Sequence, residues 1–266
     1  MHSKIINFCP TGVMPTRENS FAPLNAPEII EEVHEAYELG ISVVHIHARD
    51  KELNNTYESK YYLPIIEGIR KHCPDLMICA SLSGRLFPEF EKRSEVLQLK
   101  PDMGSLTMSS LNFPTGASNN SPAMIMQLIQ EMESNNIVPE IECFDSGMLN
   151  YTKYLISKGY LHPPYYINMI FGNISNAQAD LPTFASISKP DNSIMCFGGI
   201  GKDQLKCNVI GLMYADGVRI GLEDNLHYKE KDKAKNIDLL LRIHTIMEWM
   251  NYSIMTPKEF KAKIKN

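Results

Sequence analysis

No apolar run in these 266 residues approaches the roughly 18–20 that a membrane-spanning helix requires, so an integral helical membrane protein is not expected. Basic residues are not in excess either. The 26 Lys and Arg stand against 31 Asp and Glu, and the net charge of -5 argues against a nucleic-acid coat or a binder of anionic membranes. Paired cysteines are missing as well. Cys9, Cys73, Cys79, Cys143, Cys196 and Cys207 lie scattered, mostly inside apolar runs, with no C-x-x-C spacing. They read as buried free thiols of a reducing cytoplasm, not as disulfide staples or zinc ligands. The opening MHSKIINFCPTGV holds one lysine and a short strand-like run broken at Cys9-Pro10, which is too short for a secretion signal; a cytoplasmic location is the expectation. No linker, low-complexity stretch or composition break appears, so residues 1–266 are expected to form a single domain. A content of 44% hydrophobic and 21% charged residues is ordinary globular composition, and the chain is long enough to bury a sizeable core.

What is present is a repeated pairing of a short β-branched run with a longer helix-period run. Strands are expected at 4–9, 41–47, 76–81, 103–107, 138–144, 165–170, 193–197 and 217–222. The first helix is the clearest: Ile29, Ile30, Val33, Ala36 and Tyr37 share one face, Pro27 sits near its start and Gly40 closes it. Others are expected near 61–71, 89–99, 122–135, 148–158, 176–188, 202–213 and 233–250, and Thr256-Pro257-Lys258-Glu259 reads as the capping box of a short terminal helix. Eight strands alternating with eight helices predict an all-parallel sheet, because each helix is a crossover. The fold class is therefore α/β, a single-domain (β/α)8 TIM barrel, with an open doubly wound sheet as the alternative.

His45-Ile46-His47 ends the second expected strand. Residues two apart on a strand point to one face, so both imidazoles face the barrel interior at its catalytic rim. Two inward histidines there suit the start of a three-ligand metal site with an open fourth position; a pair merely hydrogen-bonding in a polar rim is the plainer reading. Arg219, Gly221 and Glu223 share inward parity in Arg219-Ile220-Gly221-Leu222-Glu223-Asp224. The second and eighth strands both flank the first in a closed barrel, so Glu223 can approach the histidines and complete a Zn2+ set; a helix-capping carboxylate is the competing role. Gly198, Gly199 and Gly201, after the seventh strand, form a turn where backbone N–H groups can meet an anion, or a tight turn needing positive φ. Ser81, Ser83, Arg85, Thr107, Ser109, Ser110, Glu142 and Asp145 lie at other strand ends, where turn chemistry alone accounts for many such residues. His34, His72, His162, His227 and His244 are read as surface or packing residues, and the methionines at 124–132 as a helix face in the core.

Taken together these blocks resemble the β-keto acid cleavage enzymes, the family founded on 3-keto-5-aminohexanoate cleavage. The resemblance spans nearly the whole chain. It rests on Pro10-Thr11-Gly12, Val43-Val44-His45-Ile46-His47-Ala48-Arg49-Asp50, Ser105-Leu106, Ser110-Leu111-Asn112-Phe113 and Pro139-Glu140-Ile141-Glu142-Cys143-Phe144-Asp145-Ser146-Gly147. Gly198-Gly199-Ile200-Gly201 and Arg219-Ile220-Gly221-Leu222-Glu223-Asp224-Asn225 complete it. The resemblance implies a zinc barrel that exchanges a β-keto acid with acetyl-CoA to give acetoacetate and a new acyl-CoA. It implies that His45, His47 and Glu223 hold Zn2+, that Asp224 is the base oriented by Arg219, that Ser83 and Thr107 bind the keto acid, and that Glu142 lies at or just behind the metal. The turn at 198–201 would receive the CoA phosphates. One departure bears on substrate choice. Where the aminohexanoate enzyme carries an acidic residue just after the Thr11-Gly12 equivalent, this chain has Val13-Met14. A thioether at Met14 offers an ammonium no partner, so a neutral or apolar tail is expected, while Arg17 and Arg85 leave an anionic tail open. Small-molecule partners and a homo-oligomer are expected, with no nucleic acid and no membrane. The alternatives are another zinc-dependent barrel hydrolase or aldolase acting on a phosphorylated substrate, and an inert barrel that stores or senses metal. The last needs a site closed by protein ligands, and only three plausible ligands are found.

Overall fold

A computed structural model describes residues 3–13 and 19–265. Among them, eight parallel strands form the barrel the alternation predicted. They are β1 (Ser3–Phe8), β2 (Val43–Ile46), β3 (Met77–Ala80), β4 (Met103–Thr107), β5 (Val138–Cys143), β6 (Tyr165–Phe171), β7 (Ser193–Gly199) and β8 (Gly217–Ile220). Each pairs with its neighbour in chain order, and β8 also pairs with β1, with Asn7 opposite Arg219. The sheet is therefore closed, a (β/α)8 barrel, and the open alternative falls.

Strand alternation divides the core in two. Outward residues such as Ile6, Val44, Ile78, Ile141 and Val218 join the apolar faces of the helices. Inward residues Ile5, Val43, Met77, Met103 and Tyr166 fill the lower barrel. That lower end is closed by the terminal helix α9 (Pro257–Ile264), whose Phe260 packs edge-on against Tyr166 with ring centroids 5.1 Å apart. A fully buried Phe stabilises by about 1.5–3 kcal/mol, so α9 acts as a hydrophobic plug. It starts at the expected capping box, Thr256 with Glu259. With the lower interior apolar and plugged, the inward-facing polar residues among those described gather toward the upper rim.

The crossover helices are α1 (Ala26–Leu39), α2 (Ser59–His72), α3 (Phe90–Ser94), α4 (Pro122–Ser134), α5 (Ser146–Ser157), α6 (Leu181–Ser186), α7 (Gln204–Tyr214) and α8 (Asn236–Trp249). Helix α1 begins in a capping box of Asn25 with Glu28, and its buried face is Ile29, Val33 and Ala36. Two helices are shorter than the periodicity suggests. The expected run 89–99 splits into α3 and a 3-10 turn, Glu95–Leu99. The expected run 176–188 shrinks to α6, because the polar side chains before it bond one another. Asn173 Nδ2 donates to Asn176 Oδ1 at 2.7 Å, and Asn176 Nδ2 donates to Asp145 Oδ2 at 2.6 Å. Side chains that satisfy one another in this way compete with helix formation, and Asp180 caps what remains. The rim also carries hairpins that periodicity did not reveal: Ala48–Arg49 with Asn55–Thr56, Leu111–Phe113 with Gly116–Ser118, and His227–Lys229 with Asp232–Lys233. All six cysteines are buried and free, as expected. No helix among the described residues is long and apolar enough to cross a membrane.

Candidate active site

The inward residues at the upper ends of the strands form a polar cluster. His45 is the penultimate residue of β2 and His47 follows directly after the strand; their ring centroids lie 5.3 Å apart. Glu223 reaches them from beyond β8, with Oε2 3.8 Å from His45 Nε2 and Oε1 3.4 Å from His47 Nε2. Strand parity is not what brings it there. Strand β8 ends at Ile220, and Gly221 turns the chain with φ +146°, where a Cβ would lie 2.0 Å from the Cys9 carbonyl oxygen. Only glycine permits that approach. The turn delivers both Glu223 and Asp224 to the site, which alternation along a strand cannot do. Gly12 faces it: a Cβ there would sit 2.5 Å from Glu223 Cγ. Asn236 ties the two loops, accepting from Leu222 N–H at 2.7 Å and donating to the Pro10 carbonyl at 2.8 Å.

Arg219 organises the carboxylates. Its Nε donates to Asp224 Oδ2 at 2.8 Å, Nη2 to Glu223 Oε1 at 2.7 Å and Nη1 to Glu142 Oε1 at 3.3 Å. Thr107 Oγ1 donates to the other Glu142 oxygen at 2.9 Å. Burial lifts the Asp224 carboxyl above its ordinary range, against the pull of Arg219, and lifts Glu142 in the same way. Glu223 is only partly exposed, yet the neighbouring Arg219, His45 and His47 hold it well below the carboxylate range. Neighbouring groups thus separate one ready anion from two carboxylates with raised proton affinity.

Beneath the rim lies Glu140, on β5. Glu140 is fully buried, and its Oε2 accepts from His45 Nδ1 at 2.5 Å and from Cys79 Sγ at 3.0 Å. Its Oε1 accepts from Asn7 Nδ2 at 2.6 Å and Asn168 Nδ2 at 2.8 Å. Burial alone would push this carboxyl up, but His45 and its other partners hold it down at about 2. The signal was available: Glu140 and Glu142 share strand parity on β5, so both point inward.

His45 Nε2, His47 Nε2 and Glu223 Oε2 are buried without a hydrogen-bond partner among the described residues. Ligand atoms of these three residues lie within 4.8 Å of one another. Each orphaned polar atom costs about 1–3 kcal/mol, a cost that one shared cation would remove. The donor set, two imidazoles and one carboxylate, fits a zinc-like ion. With Nδ1 donating to Glu140, His45 keeps its Nε2 lone pair for such an ion, the arrangement of a carboxylate–histidine–metal relay. His45, Cys79 and Glu140 also lie close enough to hold a metal, but their facing atoms already bond one another. Glu140→Gln would present an amide to donors that need an acceptor. It is expected to weaken metal retention by about 10–100-fold, read by competition with a chelator; unchanged retention would remove Glu140 from the metal site.

Above the cluster opens a cavity of about 390 Å³. Ser83, Thr107, Glu142, Arg219, Asp224 and Gly201 line it, as do His45, His47 and Glu223, so the expected site residues converge on one space. Gly198 and Gly199 do not line it. Added Cβ atoms there would meet the Arg219 side chain and Cys207 Sγ, so both positions serve packing. The Ile200 and Gly201 N–H groups donate to the Phe171 and Asp224 carbonyls, which leaves little of the expected backbone anion cradle. His227, expected on the surface or in packing, lines the cavity from its hairpin, and Arg85 enters it as well. Met14 and Arg17 fall outside the described residues; Val13 is at the cavity wall. Arg49 of the His-Ala-Arg-Asp block donates to the Gly12 carbonyl at 2.9 Å and so fixes the loop opposite Glu223.

Ligand atoms left unpaired on one wall and an arginine-held carboxylate beside them, at the rim opposite the α9 plug, define a barrel enzyme with a candidate metal centre. Comparison with known proteins narrows the class. The chain belongs to the beta-keto acid cleavage enzyme family, whose profile matches residues 4–265. It is 29% identical over 264 residues to a 3-keto-5-aminohexanoate cleavage enzyme of Fusobacterium nucleatum, covering 97% of this chain and 96% of that one. It is 30% identical over 266 residues to a 3-oxoadipate:acetyl-CoA acetyltransferase of Cupriavidus necator, covering 97% and 93%. Among solved structures it resembles ObcA, seen in a ternary complex with a C4-CoA adduct and oxalate. The TM-score is 0.80 at 16% identity, with 92% of this chain and 68% of that one covered, a likeness of fold.

Proposed function

We propose that this enzyme exchanges acyl groups between a β-keto acid and acetyl-CoA, releasing acetoacetate and a new acyl-CoA. The observation that carries this reading is the convergence in one cavity of the His45–His47–Glu223 cluster with Asp224 held by Arg219. In the proposed site His45, His47 and Glu223 hold zinc. The metal supplies a Lewis acid that lowers the cost of deprotonating a carbon flanked by two carbonyl groups.

The protein's own residues divide the remaining work. Arg219 holds Asp224 Oδ2 and leaves Oδ1 to take a proton from the carbon between the keto and carboxylate groups. The substrate carbanion attacks the acetyl-CoA thioester carbon, and CoA thiolate departs. The thiolate then adds to the original keto carbon, the bond between that carbon and the former nucleophilic carbon breaks, and acyl-CoA forms. Acetoacetate leaves as a carbanion that recovers the proton from Asp224, so the base is regenerated. Ser83 and Thr107 face the keto acid, and Glu142, fixed by Thr107 and Arg219, sets the wall behind it. CoA enters beside Gly201, where the exposed Lys202 supplies the charge for a phosphate that the spent N–H groups do not. Six buried free thiols suit a reducing cytoplasm.

Acetoacetate release from a panel of β-keto acids with acetyl-CoA tests the reading. Release dependent on both substrates supports it, and release without acetyl-CoA overturns it. Within that panel a short neutral β-keto acid is expected to exceed its amino-substituted analogue in kcat/KM by at least tenfold, about 1.4 kcal/mol, because neither Val13 nor Met14 offers an ammonium a partner. Met14→Glu should narrow that gap without changing metal content. Preference of the unmodified enzyme for 3-keto-5-aminohexanoate would show that another residue reads the ammonium.

A further inference from the structure

The cavity contains a cation that the exchange chemistry does not use. Arg85 follows β3 in the Ser81-Leu82-Ser83-Gly84-Arg85 turn, where its backbone N–H donates to Ser83 Oγ at 3.3 Å. Its guanidinium carbon lies 3.4 Å from the centroid of the Phe113 ring, on the hairpin that rises beyond β4. Phe113 is braced in turn by Phe144, edge-on at 5.7 Å. A planar cation stacked this way is held in one orientation with its N–H edge free to meet an acceptor. Its Nε is buried and has no hydrogen-bond partner among the described residues. Glu223, Glu142 and Asp224 act on Arg85 through their charge, but their hydrogen bonds run to Arg219 and none accepts one from Arg85. An arginine stays charged even when burial lowers its proton affinity, so Arg85 is a preorganised cation awaiting an anion.

The surroundings say which anion. The reacting end of a keto acid must lie between Asp224 and the His45–His47–Glu223 cluster, which come from the β2 and β8 ends of the rim. Arg85 stands on another wall, against the hairpin, and Leu111, Phe113, Phe144 and Ile170 supply apolar lining to the same cavity. A chain with methylenes along that lining and a charge at its far end fits both features. We infer that Arg85 binds a second, terminal carboxylate, so that the substrates of this enzyme are β-keto dicarboxylates. The inference rests on the acyl-exchange reading above and names the substrate class within it. A planar guanidinium fork matches a carboxylate through two parallel N–H···O bonds, which an ammonium or a methyl tail cannot form.

The test compares 3-oxoadipate with 3-oxohexanoate, which carry a terminal carboxylate and a terminal methyl on the same six-carbon chain, at saturating acetyl-CoA. The unmodified enzyme is expected to favour the diacid by at least tenfold in kcat/KM. In Arg85→Met that preference should fall by about 10–100-fold, the loss expected for a charge-assisted pair. Arg85→Lys should fall between, keeping the charge and losing the fork. Metal content, measured on each variant, reports whether the site is assembled. Preference for the monoacid by the unmodified enzyme overturns the inference. So does an equal loss on both acids in Arg85→Met, which would make Arg85 the holder of the reacting carboxylate. A change confined to the KM for acetyl-CoA overturns it too, and assigns Arg85 to CoA. If neither acid yields acetoacetate and acyl-CoA, the exchange reading itself fails; exchange of both without preference removes only the role of Arg85.

Discussion

Asp224→Asn is expected to keep its metal and to lose turnover by about 10²–10⁴-fold, the usual contribution of a positioned general base. The asparagine can still accept from Arg219 Nε, so the 2.8 Å contact that orients the side chain has a replacement and the fold is spared. What is lost is the oxygen that takes the proton. The effect should fall on kcat and kcat/KM together, because proton transfer belongs to the transition state and not to binding. Glu223→Gln separates the two neighbouring carboxylates: it should weaken metal retention first and activity as a consequence. Near-normal turnover by Asp224→Asn would move the base elsewhere, with Glu142 next, since burial raises its proton affinity as well.

The His45→Ala/His47→Ala double substitution should remove the metal entirely and, with it, more than 10⁴-fold of the activity. Two of three ligands vanish, and the Glu140 carboxylate loses the imidazole that helps hold its proton affinity down. Deleting its donor leaves the buried Glu140 carboxylate short of one hydrogen bond, at a cost of about 1–3 kcal/mol, so a lower Tm is expected beside the metal loss. Elemental analysis decides the matter. Close to one divalent ion per chain in the parent and none in the double variant is the expected pair of results; full metal content in the variant would place the ion elsewhere.

Much of the barrel was legible because its strands are short, β-branched and separated by helix-period runs, and because each parallel pair demands a crossover. β4 falls on the expected residues 103–107. The rim was harder. Its hairpins are two or three residues per strand, too short for any periodicity to register. Helix α6 was overestimated because Asn173 and Asn176 bond side chains where a helix would have bonded backbone. His227 carried no marker at all, since its place in the cavity depends on the hairpin that presents it.

The site divides along the same line. His45 and His47 were readable as a strand-end pair, and Glu223 as their neighbour across β1. The means of arrival differed: a glycine turn at Gly221, not strand alternation, brings Glu223 and Asp224 in together. Glu140 could have been found from its parity with Glu142 and was passed over because its partners, Asn7 and Asn168, lie on strands far apart in sequence. Gly198 and Gly199 looked like an anion turn, yet their missing side chains make room for Arg219 and Cys207. Composition cannot distinguish a glycine that welcomes a ligand from one that admits a neighbour.

Acetyl-CoA labelled with ¹³C at the acetyl carbonyl carbon tests the exchange most directly. Incubated with the enzyme and an unlabelled β-keto acid, it should place the label in the keto carbon of acetoacetate and leave the new acyl-CoA unlabelled, with the two products formed in equal amounts. Label recovered in acetate, or acetoacetate formed without the label, would contradict the exchange.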